Sequence, residues 1–184
     1  MALDLQNQGM LGLPRAGLAA LRAALYRDAG TAAAGYLQEA GYAGGETLFA
    51  AFRGWLAARG EPAPESLTLQ RFEELATLFF REAGWGSLHV GSLRNAVAVL
   101  DSTDWGEADP QSGIEHPACH FTTGMLADFF GRIADAPLAV LEVECRSAGD
   151  KRCRFLIGNA EVMEHVYETL GRGEPYETAV ADVE

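Results

Sequence analysis

The hydrophobic period of the chain changes once, close to Gly84, and this limits the fold more than any other feature. Upstream, apolar residues recur every three or four positions, as on one face of a helix. "RAGLAALRAALYRDAG" (15–30) sets Leu18, Leu21 and Leu25 on one side and ends at a glycine. "TAAAGYLQEAGY" (31–42) is an alanine-rich helical stretch whose small residues permit close packing. "GETLFAAFRGWLAARG" (45–60) spaces Leu48, Phe52, Trp55 and Leu56 helically, and "LTLQRFEELATLFFREAG" (67–84) does the same with Leu69, Phe72, Leu75, Phe79 and Phe80. Downstream the pattern becomes strand-like. "WGSLHVGS" and "NAVAVLDST" read as a hairpin with its turn near Gly91–Arg94. "ACHFTTGMLADFFGRIAD" (118–135) returns to helix, "LAVLEVECR" and "RCRFLIG" form a second hairpin, "AEVMEHVYETLG" is a last helix, and residues 173–184 read as a polar tail. Two hairpins among helices predict an α+β fold, an antiparallel sheet with helices packed on it. No repeat or low-complexity linker divides residues 1–184, so one domain is expected.

Composition narrows the function. Twenty-six acidic residues against fourteen basic ones give a net charge of −12. Nucleic acid would require a basic face, and anionic lipid would repel this surface. No apolar run reaches the roughly 18 residues of a membrane span. The start, "MALDLQNQGML", has no basic segment leading into an apolar core, so a secretory signal is not expected. Three cysteines, an odd number, do not suit a secreted disulfide scaffold. A cytoplasmic location is the reading these features support.

Two of those cysteines lie in "LEVECRSAGDKRC" (141–153). With the loop centred on Gly149, Cys145 faces Cys153, and directly opposed Cβ atoms are about 5 Å apart. That suits two thiolates on one metal, and it also allows a disulfide or a pair of buried thiols. Cys119 is predicted just inside the helix that Pro117 can open, where a thiolate is favoured. Three sulfurs leave a tetrahedral ion one ligand short. Glu142, His116 and His120 compete for that place on spacing alone. Glu144 alternates to the face opposite Cys145. Glu142 also differs from Cys145 by an odd number of residues, so the two share a face only if the strand carries a bulge or ends near Glu144.

The stretch 116–158 resembles the 4-vinyl reductase (4VR) domain family. The matching elements are Cys119, Phe121, Gly124, Glu142, Cys145, Ala148, Gly149, Asp150, Cys153 and Phe155, with looser similarity over 14–170. The family includes sensor domains of phenol- and toluene-responsive transcription activators and proteins of bacteriochlorophyll synthesis. Its fold is shared with small subunits of a Golgi vesicle-tethering complex and is related to nitric-oxide-sensing haem domains. The resemblance implies a structural Zn2+ held by Cys119, Glu142, Cys145 and Cys153, and it is the resemblance that selects Glu142 over the histidines.

The resemblance further implies a small hydrophobic ligand (an aromatic, a lipid or a tetrapyrrole) between sheet and helices. Ala96 and Ala98 on a core-facing strand can leave a cavity, with Phe72, Phe79, Trp85, Phe129 and Val140 as candidate walls. The same residues also suit a closed core. A stand-alone sensor or carrier is the leading reading, and a vinyl reductase or accessory factor of the tetrapyrrole pathway is the alternative. Catalysis has little support, since there is no G-x-G-x-x-G after a strand and no defensible nucleophile–base set. A homodimer through "LGLPRAGLAALRAALY" is expected from the family's sensors.

Overall fold

A computed structural model describes residues 9–94 and 97–182. Its helices are α1 (Arg15–Ala29), α2 (Ala32–Ala57), α3 (Leu69–Glu82), α4 (His120–Ala134), α5 (Ala160–Gly171) and α6 (Tyr176–Asp182). Its strands are β1 (His89–Arg94), β2 (Val97–Ser102), β3 (Ala139–Glu144) and β4 (Cys153–Gly158). They form one antiparallel sheet in the order β1-β2-β4-β3, so each predicted hairpin closes and the two join through β2 and β4. The α+β fold expected from the change of period is the fold observed.

The sheet is covered on both faces. Leu100, Phe155 and Ile157 face a large core built by α2, α3 and α4, in which Phe52, Phe79, Phe80, Trp105 and Phe129 have no exposed surface. Val97, Val99 and Leu156 point the other way, onto α5 and α6. Central strands buried on both sides lose the clean apolar–polar alternation of a half-solvated sheet, and β4 is accordingly buried at nearly every position.

Four local expectations are corrected. The two helical stretches 31–42 and 45–60 are one continuous helix, α2, of 26 residues. Its central glycines do not break it; they set how near α4 can come. A Cβ on Gly41 would stand 2.0 Å from the Phe121 carbonyl oxygen, and one on Gly124 of α4 would stand 1.9 Å from that of Gln38. The supposed polar tail contains α6, where Tyr176, Ala179 and Val180 recur at helical spacing and are buried. Gly91–Arg94 belongs to β1 rather than to the turn, because Gly91 pairs with Val99. In α1 the leucine face is only partly covered, with Leu21 exposed, and the buried residue is Arg22.

Candidate metal centre and adjoining cavities

The centre is assembled by an irregularity in β3. Glu142 pairs with Phe155, but Glu144 pairs with Arg154, so β3 carries one extra residue between them. This is the β-bulge that the odd spacing of Glu142 and Cys145 demands. It turns both side chains to the interior while Glu144 points away, where its carboxylate accepts from Arg152 at 2.9 and 2.8 Å and from the Tyr176 hydroxyl at 2.9 Å. Past the bulge, the register of Glu144 with Arg154 sets Cys145 opposite Cys153. The connection is a 3-10 turn, Arg146–Ala148, closed by Gly149 at φ 94°, a left-handed conformation that favours glycine. Asp150 Oδ2 accepts from the Cys145 amide at 2.7 Å and fixes the turn.

Cys119 enters from the helix layer as the N-cap of α4. Its Sγ lies 3.8 Å from that of Cys145 and 3.9 Å from that of Cys153. A tetrahedral ion with metal–sulfur bonds of about 2.3 Å separates its sulfurs by roughly 3.8 Å. One carboxylate oxygen of Glu142 completes a set of four ligand atoms all within 4.8 Å of one another. Every member is buried. His116 and His120 lie outside the set.

The chemistry of the cluster fits a cation. Glu142 Oε2 accepts from the amides of Ala118 and Cys119 at 2.9 and 2.8 Å. Its other oxygen, Oε1, is buried without a hydrogen-bond partner among the described residues. A buried carboxylate oxygen left unpaired is costly, and a divalent ion at the point where the three sulfurs converge would satisfy it. Burial pushes the Glu142 carboxyl well above its usual range. Without an ion the sulfurs share protons. Cys119 donates toward Cys145 and Cys153 and is raised, whereas Cys145 accepts from both and is strongly lowered. An ion would displace those protons, because its ligands bind deprotonated. Four protein donors leave no open coordination position, which is the arrangement of a structural site.

Basic residues of the hairpin are spent elsewhere. Arg154 is fastened to Asp101 at 2.8 and 2.6 Å, and Arg152 to Glu144. Beside the centre stands Arg22 of α1, which donates to the carbonyls of Glu107 and Ala118, the latter at 2.6 Å. The Glu107 carboxylate in turn accepts from the amides of Phe121 and Thr122 and from the Thr122 hydroxyl, at 3.2, 2.8 and 2.6 Å. Trp105 Nε1 donates to that hydroxyl at 2.7 Å. Thus Glu107 and Glu142 occupy the unpaired amides at the start of α4, where the helix dipole favours negative charge. Sequence patterns do not single out Arg22 or Glu107, since nothing local marks residues 85 positions apart as partners.

The pocket candidates divide between surroundings. Phe72 and Ala98 line a cleft of ≈ 430 Å³ between α3, the sheet and the end of α4, together with Leu67, Val90, Ile133 and Leu138. Phe79 and Phe129 have no exposed surface and sit in the core. Trp85 is stacked between Trp105 and Phe121 at centroid distances of 5.7 and 5.8 Å. Val140 lines a separate depression with Gln38 and Tyr42. Ala96 lies outside the described residues.

Residues 107–159 match the family model of the vinyl-4-reductase (4VR) domain. The matched segment runs from Glu107 through α4 and both strands of the second hairpin, so it contains all four candidate ligands. An uncharacterized protein of Methanocaldococcus jannaschii is 30% identical over 91 residues, covering 50% of this chain and 48% of that protein. The match thus spans about half the length of that curated relative. Among solved structures, the phenol-responsive sensory domain of the transcription activator PoxR, determined with phenol, superposes with a TM-score of 0.63 at 18% identity, covering 90% of this chain and 84% of that one. A trafficking protein particle complex subunit 3 from Naegleria fowleri, covalently bound to palmitic acid, superposes with a TM-score of 0.59 at 12% identity, covering 78% of this chain and 91% of that one. The likeness to both structures is one of fold. Around its 4VR segment the chain has the architecture expected from the motif, and no helix among the described residues is long and apolar enough to cross a membrane.

Proposed function

We propose that this chain acts as a single unit that binds a small hydrophobic molecule, as a sensor or carrier, and that a Zn2+ ion held by Cys119, Glu142, Cys145 and Cys153 braces it. The ion would tie the start of α4 to the second hairpin and take no part in chemistry. The observation that carries the ligand reading is the cleft of ≈ 430 Å³ between sheet and helices. Glu65 is the one charged residue among its lining residues. Such a volume falls within the range of small-molecule sites, and its walls offer apolar surface rather than the paired polar groups that would hold a hydroxyl. Phe72 and Ala98 line it directly, and Phe79 and Phe129 form the packed layer behind. Ala96 and Val140 stay with the proposal as neighbouring positions on the first and second hairpins, and Trp85 as part of the aromatic stack.

Titration calorimetry with naphthalene, at concentrations below its solubility limit, tests the reading. The wild-type protein is expected to bind it, and Ala98→Leu, which places three more carbons in the cleft, is expected to weaken binding at least tenfold. Equal binding by the two proteins would overturn the assignment. Native mass spectrometry of never-chelated protein is expected to show one zinc per chain. Exposed Leu11, Leu13 and Leu21, at 95%, 60% and 52% exposure, favour a homodimer through the α1 region, which light scattering reads directly. The net charge of −12 and the cluster of buried thiols fit a cytoplasmic protein whose partner is a small molecule rather than nucleic acid.

A further inference from the structure

A second cavity, of ≈ 400 Å³, opens between α1 and the loop that leads to α4. Ala19, Ala23 and Ile114 give it apolar walls, and Tyr26 and His116 flank it with aromatic rings. None of these residues lines the sheet cleft. Two buried polar atoms on its lining residues have no hydrogen-bond partner among the described residues, Arg22 Nε and the Tyr26 hydroxyl. Arg22 cannot turn to relieve its own deficit. Its two terminal nitrogens are committed to the Glu107 and Ala118 carbonyls, and the side chain is only 5% exposed. Burial keeps the Tyr26 phenol protonated by raising it above its ordinary range, so it too is a donor.

A buried donor without an acceptor carries the full cost of its lost hydration, and two in one cavity call for an oxygen supplied from outside. The charge balance says what kind of oxygen. Glu107 Oε1 stands 3.5 Å from Arg22 Nε, so the guanidinium charge is already answered. Asp109 lines the same cavity, and the chain as a whole carries −12. An anion would meet that negative field, whereas a neutral carbonyl would not.

We propose that this cavity is a second ligand site, taking a small neutral carbonyl compound whose oxygen accepts from Arg22 Nε and the Tyr26 hydroxyl while its compact apolar body lies on Ala19, Ala23 and Ile114. The site is independent of the sheet cleft. It sits against the metal centre, because the Arg22 that would meet the ligand also holds the Ala118 carbonyl next to Cys119.

The test compares acetophenone, ethylbenzene and benzoate by titration calorimetry and ligand-detected NMR on the full metal-containing chain. Acetophenone and ethylbenzene have nearly the same shape and differ in the acceptor; benzoate supplies the acceptor with a charge. Acetophenone is expected to bind at least tenfold more tightly than either. Tyr26→Phe is expected to remove most of that advantage, and Ala23→Leu, at an exposed position that tolerates bulk, to block the site. Ala98→Leu should leave acetophenone binding unchanged while it weakens naphthalene binding, so failure at one site is distinguishable from failure at the other. Equal affinity for ethylbenzene, tighter binding of benzoate, sensitivity to Ala98→Leu instead of Ala23→Leu, or no binding at all (water then satisfies both donors) would each overturn the proposal.

Discussion

Gly124→Ala adds one carbon to α4 at the point where it crosses α2. That carbon would stand 1.9 Å from the Gln38 carbonyl oxygen and 2.9 Å from the Tyr42 amide nitrogen, although real Cβ atoms essentially never come within 3.0 Å of such neighbours. Both obstacles are helix backbone, so no side chain can swing aside, and α2 must retreat by about 1 Å. A radial gap of that size forfeits roughly a quarter to a half of the dispersion energy of each contact it opens. Overpacking ordinarily costs about 1–3 kcal/mol, and the rigid obstacle places this case at the upper end. Replacing glycine by alanine inside a helix returns about 1 kcal/mol of propensity, leaving a net loss of about 2–3 kcal/mol from a total of about 5–15 kcal/mol, the usual range of stability. For a chain of this size the melting temperature should fall by about 8 °C. Gly44→Ala is the control: the same change in an exposed position of α2, where an added Cβ meets nothing within 4 Å. It should raise stability by about 0.5–1 kcal/mol and the melting temperature by about 2 °C. Thermal melts followed by far-ultraviolet circular dichroism read both. If Gly124→Ala melts together with wild type, or if Gly44→Ala is equally damaging, the close crossing is not what these glycines provide.

Other outcomes follow from single contacts. Glu142→Gln keeps an oxygen for the Ala118 and Cys119 amides but removes the charge, and metal retention measured by plasma mass spectrometry should fall at least tenfold; Glu144→Gln, whose carboxylate faces Arg152 and Tyr176 instead, should leave it unchanged. Glu82 is held below its usual carboxyl range, first by the hydrogen bond from Trp55 Nε1 at 2.9 Å and then by Arg59. Its folded-state value is therefore the lower one, so its contribution, roughly 0.5–1 kcal/mol, is present above the unfolded value near 4.5 and disappears as pH falls through the folded value. Urea titrations of Glu82→Gln should differ from wild type at neutral pH and converge with it in acid, below the folded value; a difference that persists there would refute this assignment. Trp105→Phe removes the donor to Thr122 Oγ1 inside the core and should cost about 1–3 kcal/mol in the same titrations.

Hydrophobic period is a local signal, and local structure is what it revealed. The two hairpins, α3 and α4 were legible because apolar residues within each element face one layer. The bulge in β3 was legible for a different reason: two ligands at odd spacing can share a face only if the strand gains a residue, and it does so between Glu142 and Glu144. Glycine misled the reading of α2. A helix interior normally disfavours it, so Gly41, Gly44 and Gly45 suggested an interruption, whereas Gly41 and Gly45 are demanded by α4 packed against them. The short α6 escaped notice because three buried residues, Tyr176, Ala179 and Val180, sit among exposed polar ones.

The polar frame of the candidate centre was not legible at all, for a physical reason. Its bonds join residues separated by 85 and 96 positions, Arg22 to the carbonyls of Glu107 and Ala118, and no periodicity records such pairings. An arginine on an alanine- and leucine-rich helix reads as a solvated side chain. Here the leucines around it are half-covered or exposed, and the arginine is the residue that goes inside. That inversion has a cause in α4. The start of that helix gathers two carboxylates and three sulfurs, more negative charge than the helix dipole alone can offset. A buried guanidinium placed against it supplies the balance that the hairpin's own arginines, committed to Asp101 and Glu144, do not. On this account α1 is held to the domain more by one cation than by its apolar face. Arg22→Met, which keeps the bulk and loses the charge, should therefore loosen α1 and the metal centre together, read as faster amide exchange in α1 alongside weaker metal retention; a loss of one without the other would separate the two roles given to this arginine.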